Sequence, residues 1–231
     1  MSMTIIQTVS NYRATAYLHD DGSVTTDGQP AFGGDSNAVQ HLLTNVTTIF
    51  HNDYAFAALK ADRTVITWGS KYGGDSSVVQ HLLTDITTIV ATRSAFAAFK
   101  TDGTVVTWGR PAWGGNSNTV QHLLTDITTI AATHWAFAAL KTDGTVVTWG
   151  GSEDGGDSNA VQHRLTNITA IFANHHAFAA LKADGTVVTW GDPYWGGNSS
   201  TVQNDLINIE TIIPNKYGFT AIKHDGTRIH W

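Results

Sequence analysis

Residues 136–150 read Ala-Phe-Ala-Ala-Leu-Lys-Thr-Asp-Gly-Thr-Val-Val-Thr-Trp-Gly. Two short runs rich in apolar, β-branched and aromatic residues flank Asp143-Gly144, a pair that accepts the positive φ of a tight hairpin turn. Both runs carry apolar residues on both faces, so the hairpin is expected to be covered on both sides, as in stacked sheets. We therefore predict two antiparallel strands, B before the turn and C after it.

The same pattern recurs along the chain with a period of 40 or 41 residues. Gly-Gly pairs lie at 33-34, 73-74, 114-115, 155-156 and 196-197, and tryptophan ends strand C at Trp68, Trp108, Trp149, Trp190 and Trp231. A short strand A precedes each hairpin, which gives six units near residues 4-28, 48-69, 88-109, 129-150, 170-191 and 211-231. Because no linker or composition shift interrupts them, we expect one domain over residues 1-231. Repeat two has Arg63 in the place of the turn glycine, which predicts a strained left-handed residue there.

Five connectors of the type Gly-Gly-Asp-Ser-Asn-Ala-Val-Gln-His-Leu-Leu-Thr join the units. In the first connector Asn37 precedes Gln40 by three residues, which is the spacing of a capping box at the start of a helix. The apolar residues around this pair fall at i, i+3, i+4 and i+7: Val39, Leu42, Leu43 and Val46. We predict a two-turn helix in each connector, packed against the sheets.

The 15-residue succession at 136–150 resembles the repeats of the regulator of chromosome condensation family, in which an apolar strand, an Asp-Gly turn and Trp-Gly recur in a β-propeller. The resemblance covers nearly the whole chain. The repeat here is shorter than is usual in that family, Gly-Gly-Asp/Asn-Ser stands where a Gly-Gln-Leu-Gly type motif is usual, and a helix replaces part of a blade. In the founding member nucleotide exchange depends on an inserted segment, for which this spacing leaves no room. The resemblance therefore implies the fold type and not the exchange activity.

Two features bear on whether the six units close into a ring. Asp27 stands where other repeats have tryptophan, and residues 11–17 and 218–222 depart from the usual strand B, as capping repeats of an open array do. The first and last repeats are also expected to depart from the common sequence if the ring closes between them. In that arrangement an N-terminal strand A (Thr4-Ile5-Ile6) completes a blade begun by the last B and C strands. We predict a mainly β fold, a six-repeat β-propeller-like ring of three-stranded units joined by short helices, because closure removes exposed strand edges. An open β-solenoid is the alternative.

The composition excludes several classes of function. The 231 residues include no cysteine, which removes disulfide scaffolds, thiolate metal sites and cysteine nucleophiles. The net charge of −6, from 13 Lys and Arg against 19 Asp and Glu, argues against a nucleic-acid partner. No stretch approaches 18 apolar residues, and the start of the chain lacks the pattern of a signal peptide. We expect a soluble protein without membrane insertion, cytoplasmic or exported without a recognisable signal peptide.

Variation between repeats is concentrated in the loop between strands A and B and in the residues just before Gly-Gly. If strands A, B and C run up, down and up, both segments emerge on one rim and every Asp-Gly turn lies on the opposite one. Aromatic rings beside His, Asn, Asp and Arg suit a binding surface on a rigid scaffold. The predicted binding residues are Tyr12, Arg13, Phe32, Asp53, Tyr54, Tyr72, Arg93, Trp113, His134, Trp135, His175, His176, Tyr194, Trp195, Lys216 and Tyr217.

Signatures of enzymes and metal sites are missing from the sequence. There is no Gly-x-Ser-x-Gly, no His-Glu-x-x-His and no phosphate-binding glycine loop. Four histidines recur in the connectors, but no second ligand recurs beside all of them at i+3 or i+4: His41, His81, His122 and His163. We therefore predict no catalytic residue, no metal and no cofactor. An enzyme with a site at the centre of the ring stays an alternative.

These observations predict a non-enzymatic interaction module that binds a protein partner through the variable rim. The alternative is a multivalent lectin-like carbohydrate or cell-surface binding protein, part of a toxin or secreted system, whose rim aromatics contact sugar faces. The oligomeric state is left open by the sequence.

Overall fold

The computed structural model describes residues 3–231, which form six three-stranded antiparallel sheets, one for each repeat. The strands of each sheet are consecutive in the chain and pair in the order A–B–C, as the sequence predicts. The chain divides into two compact units, Met1–Asn116 and Ser117–Trp231, and the single domain expected from the sequence stays a prediction. Within the described residues no helix has the length and apolar character needed to cross a lipid bilayer.

The first unit holds sheets 1 to 3. Their strands are β1 (Ile5–Ser10), β2 (Ala14–His19), β3 (Val24–Gly28), β4 (Val46–His51), β5 (Ala55–Lys60), β6 (Val65–Gly69), β7 (Ile86–Ala91), β8 (Ala95–Lys100) and β9 (Val105–Gly109).

The second unit holds sheets 4 to 6. Their strands are β10 (Ile127–Ala132), β11 (Ala136–Lys141), β12 (Val146–Gly150), β13 (Ile168–Ala173), β14 (Ala177–Lys182), β15 (Val187–Gly191), β16 (Ile209–Asn215), β17 (Gly218–Lys223) and β18 (Arg228–His230).

The terminal strands pair within their own repeats. Strand β1 pairs with β2, and the last hairpin, β17 and β18, pairs with its own strand A, β16. The interpretation in which the N-terminal strand completes a blade begun by the last two strands is therefore wrong. Closure of the array into a ring stays a prediction.

The apolar layer between neighbouring sheets is built around a stacked pair of aromatic rings. Phe56 and Trp68 of sheet 2 lie 5.3 Å apart by ring centroids and pack with Leu18 and Val24 of sheet 1. The equivalent pairs are separated by 5.1 to 5.5 Å: Phe96 and Trp108, Phe137 and Trp149, Phe178 and Trp190, Phe219 and Trp231. Burial of an aromatic side chain of this size stabilises the fold by roughly 1.5–3 kcal/mol, which makes each pair a major contributor to the contact between repeats.

Gly-Gly lets the connector pass close to this aromatic pair. The indole Nε1 of Trp68 donates to the carbonyl oxygen of Gly33 at 3.0 Å, and Trp108 donates to Gly73 at 2.8 Å. Gly33 has a φ of 93°, and a Cβ there would lie 2.7 Å from the ring of Phe56. Glycine is required at this position because any side chain would collide with the phenylalanine of the next repeat. In the second unit Trp190 and Trp231 donate to Gly155 and Gly196 in the same way, each at 3.0 Å.

The two-turn helix predicted in the connectors is wrong, because the chain forms only single 3-10 turns there. These are Gln40–Leu42, Gln80–Leu82, Gln121–Leu123 and Gln162–Arg164, and none has a side-chain cap. Three further 3-10 turns of the same length precede Gly-Gly: Pro30–Phe32, Pro111–Trp113 and Pro193–Trp195. In repeat four a five-residue π-helical turn, Ser152–Gly156, includes the Gly-Gly pair itself.

The glutamine of each connector has a role other than helix capping. The side chain of Gln40 accepts a hydrogen bond from Ser36 Oγ at 2.8 Å and donates to the carbonyl oxygen of Val24 at 2.9 Å. It thereby joins the connector to the start of strand C, a link that repeats at Gln80, Gln162 and Gln203. The leucine that follows, Leu43, is buried and completes the apolar layer.

Sheets 1 and 6 carry polar residues at positions where sheet 2 packs apolar residues against a neighbouring repeat. Sheet 1 has exposed Thr25 and Asp27 where sheet 2 has Ile66 and buried Trp68. Sheet 6 has exposed Arg228 where sheet 2 has buried Val65. Polar replacements at positions that inner repeats fill with apolar residues are typical of capping repeats.

Arg63 adopts the left-handed backbone predicted for it, with a φ of 63°. An L side chain in this region costs about 1 kcal/mol, so Arg63→Gly is expected to raise the free energy of unfolding by about that amount in a urea titration. The matched change Gly144→Arg is expected to lower it at least as much, since a Cβ at Gly144 would also lie 3.1 Å from Cα of Asn167. A less stable Arg63→Gly variant would contradict this account.

The aspartates of the turns between strands B and C are expected to make the stability of the fold depend on pH in acid. Oδ1 of Asp143 accepts from Thr145 Oγ1 at 2.6 Å and from Thr145 N at 2.9 Å. These bonds favour the carboxylate, so the pKa of Asp143 lies below its usual value. The same bonds lower the pKa of Asp62, Asp102, Asp184 and Asp225.

A carboxyl whose pKa is lower in the folded than in the unfolded state contributes stability that is present above the unfolded pKa and is lost as the pH falls through the folded one. The melting temperature is therefore expected to fall as the pH drops below about 4. In the double variant Asp102→Asn/Asp143→Asn, which keeps the acceptor oxygens but cannot ionise there, the fall should be smaller. An identical acid dependence in the two proteins would show that these turns do not contribute.

Candidate functional site

The loop between strands A and B is hydrogen-bonded to the segment before Gly-Gly in each of the first five repeats. In the first unit Asn11 Nδ2 donates to the carbonyl oxygen of Phe32 at 2.7 Å, and Asn52 Nδ2 donates to that of Tyr72 at 3.2 Å. In repeat three the hydroxyl of Thr92 donates to the carbonyl oxygen of Trp113 at 3.0 Å. The two segments therefore lie side by side in these three repeats.

The second unit has the same arrangement. Thr133 Oγ1 donates to the carbonyl oxygen of Asp154 at 3.1 Å, and Asn174 Nδ2 donates to that of Trp195 at 2.7 Å. Sequence reasoning missed these anchoring residues, four of which are buried: Asn52, Thr92, Thr133 and Asn174. The signal that could have found them is the recurrence of Asn or Thr in the first five A–B loops, three residues before the alanine that begins strand B.

In the first unit the rim aromatics form a continuous row. Tyr12 lies 6.5 Å from Phe32, Phe32 lies 5.7 Å from Tyr54, and Tyr54 lies 6.4 Å from Tyr72, measured between ring centroids. The rings come alternately from an A–B loop and from a connector. Tyr12 and Tyr72 are exposed, at 69% and 40% of their maximum. The predicted rim residues of repeats one and two are therefore brought together into a single surface.

Cationic side chains accompany this row. The guanidinium carbon of Arg13 lies 5.5 Å from the Tyr12 ring and 5.6 Å from the Phe32 ring. Arg110, which sequence reasoning missed, lies 5.6 Å from Tyr72 and 3.5 Å from Trp113. Lys71, also missed, lies 5.2 Å from Tyr72. We call these rings and cations, Tyr12, Arg13, Phe32, Tyr54, Lys71, Tyr72, Arg110 and Trp113, the cation–aromatic row.

Two further predicted residues of the first unit bind each other. Nε of Arg93 donates to Oδ2 of Asp53 at 2.5 Å, and the backbone N–H of Asp53 donates to the carbonyl oxygen of Arg93 at 3.1 Å. The side chains are 39% and 28% exposed, so solvent screens the pair and its contribution to stability is modest. Its main effect is to join the A–B loops of repeats two and three.

In the second unit the predicted histidines gather into one cluster. The rings of His134 and His175 stack with centroids 4.2 Å apart, and the ring of His176 lies 4.4 Å from that of Trp195. Nδ1 of His176 lies 2.7 Å from Oδ1 of Asp154, which sequence reasoning did not place among the binding residues. A carboxylate in this position favours the Nδ1–H tautomer of the imidazole.

The remaining predicted residues lie at the ends of this histidine cluster or outside it. The ring of Trp135 lies 6.0 Å from His134, and the ring of Tyr217 lies 5.2 Å from Trp195 with Lys216 Nζ 5.0 Å above it. Tyr194 lies outside the cluster and is 91% exposed. Among residues 3–231 no group of three or more His, Asp or Glu side chains is arranged to hold a metal ion, and the connector histidines lie on separate 3-10 turns.

Comparison with known proteins identifies the fold by structure and not by sequence. No family model matches the chain, and no curated protein matches it in sequence. Yeast RCC1 (Prp20) in complex with Kap60 is similar in structure, with a TM-score of 0.55 and 15% identity over 98% of this chain and 69% of that one. Prp20p from Saccharomyces cerevisiae has a TM-score of 0.53 and 13% identity over 97% of this chain and 64% of that one. The fold is RCC1-like.

A plant receptor shares this fold. The CRINKLY WD40 ectodomain of the Arabidopsis thaliana receptor kinase ACR4 has a TM-score of 0.50 and 15% identity over 99% of this chain and 81% of that one. The mainly β, propeller-like fold class predicted from the sequence is confirmed. At these identities the likeness describes the fold alone, so the function is argued from the rim itself.

Asn52 tests how firmly the rim is held. Its side chain is 3% exposed, donates to Tyr72 and accepts from the backbone N–H of Tyr54 at 2.9 Å. Asn52→Ala leaves both groups without a partner and is expected to lower the free energy of unfolding by about 1–3 kcal/mol. Asn52→Thr, which introduces the residue of repeats three and four, is expected to lose less than half as much in the same urea titration. Equal losses in the two variants would show that side-chain size, and not hydrogen bonding, matters here.

Proposed function

We propose that this protein is a non-enzymatic interaction module that binds a protein partner through the variable loops of its rim. The observation that carries the proposal is the cation–aromatic row, in which four aromatic rings from two repeats succeed one another at 5.7 to 6.5 Å. Exposed tyrosine, tryptophan and arginine are the residues that contribute most to protein–protein binding.

The rim is also pre-organised for binding. Its loops are hydrogen-bonded to the connectors by buried Asn and Thr side chains, and its rings and cations pack on one another. Side chains that are already ordered lose little conformational entropy when a partner binds, which favours affinity. A rim of rings and paired charges suits recognition, whereas a catalytic site needs a nucleophile beside an oriented base.

The neighbours in fold support the general role. Yeast RCC1 (Prp20) is seen bound to Kap60, and Prp20p has binding properties toward Gsp1p and histones. These partners belong to those proteins. What we transfer to this chain is the use of an RCC1-like repeat fold as a scaffold for binding another protein.

Lectin-like carbohydrate binding is the second candidate, and Tyr194 is the residue that favours it. A sugar ring stacks on an aromatic face, and Tyr194 is 91% exposed. A glycan array distinguishes the two functions. Binding that is lost in Tyr194→Ala, which introduces the residue of repeats one and three at this position, supports the glycan function. If the chain binds no glycan on a broad array, the glycan function is contradicted.

Protein binding is tested by capture of a stoichiometric partner from cells that produce the chain, followed by measurement of affinity with the purified partner. The double variants Tyr12→Ala/Tyr72→Ala and Trp195→Ala/Tyr217→Ala remove rings from the rim of one unit each. We expect at least one of them to weaken binding by about tenfold or more, the effect of removing an aromatic anchor.

The matched control lies at the opposite rim. Thr101→Ala/Thr142→Ala changes two exposed residues beside the Asp-Gly turns to the residue that repeats two and five carry there, and is expected to bind normally. Loss of binding in this variant with normal binding in both rim variants would place the functional surface on the turn side and overturn the proposal.

A further inference from the structure

The cations of the cation–aromatic row lack the carboxylate partners that surface cations commonly have. Within the described part of the chain no Asp or Glu oxygen lies within 4.0 Å of the charged groups of Arg13, Lys71 or Arg110. Asp53, the one acidic residue in the rim segments of repeats one to three, is bound by Arg93. The rim of the first unit therefore carries a local positive charge on a protein whose net charge is −6.

These three cations contact rings and not opposite charges, and Arg13 is held in addition by a neutral amide, since its Nη1 donates to Oε1 of Gln29 at 3.3 Å. The guanidinium of Arg110 covers the Trp113 ring at 3.5 Å, and Arg13 spans Tyr12 and Phe32. A cation over a ring gains about 0.5–1 kcal/mol at an exposed site and keeps its N–H groups for another acceptor. The arrangement orients positive charge toward a ligand without neutralising it.

The packing of the row also limits the chemistry of that ligand. Phe32 and Tyr54 stack at 5.7 Å with an angle of 30° between their planes, and Arg110 occupies a face of Trp113. Nucleic-acid bases and sugars bind by stacking on free ring faces, and here faces are taken by neighbouring groups. Ring edges, which carry positive partial charge, and guanidinium N–H groups remain, and both attract carboxylate oxygens.

The spacing of the row fits an extended peptide. Side chains on one face of an extended chain, at i and i+2, are separated by about 6.6 Å. The rings of the row follow one another at 6.5, 5.7 and 6.4 Å. An extended segment with a carboxylate at every second residue can therefore place successive carboxylates against successive ring edges and cations.

We propose that the cation–aromatic row binds an acidic, extended segment of the partner protein. This inference rests on the proposed function and specifies the chemistry of the partner for the first unit. The net negative charge of the whole chain disfavours a polyanion such as RNA, which would meet repulsion outside the row, whereas a short acidic segment contacts only the row itself.

The test uses a fluorescein-labelled ten-residue peptide of alternating Glu and Ser, measured by fluorescence anisotropy against the full chain. The variant Arg13→Ser/Lys71→Ala/Arg110→Gln replaces each cation with a residue that sister repeats carry: Ser94 at the position of Arg13, Ala31 and Ala112 in the segment of Lys71, and Gln29 at the position of Arg110. Because charge-assisted contacts at exposed sites contribute a few-fold each, we expect affinity to fall by about tenfold or more.

Several controls keep the result specific. Arg63→Gly removes a cation of the same unit at an Asp-Gly turn and is expected to leave peptide affinity unchanged. Raising the salt concentration from about 0.05 to about 0.5 M should weaken the peptide complex of the unchanged protein. Equal affinity of the triple variant, equal binding of an alternating Lys and Ser peptide, or tighter, row-dependent binding of a ten-nucleotide uridine RNA would each overturn the inference.

The captured partner separates failure of this inference from failure of the proposed function. If Tyr12→Ala/Tyr72→Ala weakens partner binding while the triple cation variant binds normally, the rim function stands and the acidic segment is refuted. If neither the ring variants nor the cation variant affects partner binding, the proposed function itself fails.

Discussion

The contact between a tryptophan and the Gly-Gly pair of the preceding connector is the constraint on which the repeat depends. The indole of Trp68 stacks on Phe56 and donates to the carbonyl oxygen of Gly33, so one residue fills the apolar layer and also fixes the connector. Glycine at 33 is forced by the 2.7 Å approach to the Phe56 ring. Repeat one has Asp27 in place of this tryptophan, so it has no indole to make the contact.

This constraint also explains where the repeats are free to differ. The second glycine, Gly34, crosses directly over the backbone of Gly28, so the residues between them form a short bridge anchored at both ends. The A–B loop is attached to that bridge through a buried Asn or Thr. Side chains on the bridge and loop can vary without disturbing the apolar layer, because the anchoring groups are backbone carbonyls and one small polar residue.

The strands, the Asp-Gly turns and the two segments of the rim could be predicted because each depends on residues close together in the sequence. Gln40 could not be interpreted correctly, since its spacing from Asn37 is equally compatible with a capping box and with the observed bonds to Ser36 and Val24. Arg110 was missed because its contact with Tyr72 depends on how one repeat packs on the next. Lys71 was missed because its contact with the adjacent Tyr72 depends on the local conformation of the connector, which the sequence does not reveal.

The repeat fold does not require the cations of the cation–aromatic row. Sister repeats have serine at the position of Arg13 and glutamine at that of Arg110, and their sheets, turns and Gly-Gly crossings are the same. Asp53 and Arg93, by contrast, bind each other and join two loops. A charge that is neutralised by an opposite charge on a neighbouring loop is accounted for by folding. A charge held over a ring, with at most a neutral amide as its partner as in Arg13, is not neutralised by the fold. This physical distinction between the two kinds of rim residue, and not their exposure alone, is the reason why we propose the cation–aromatic row as a binding surface.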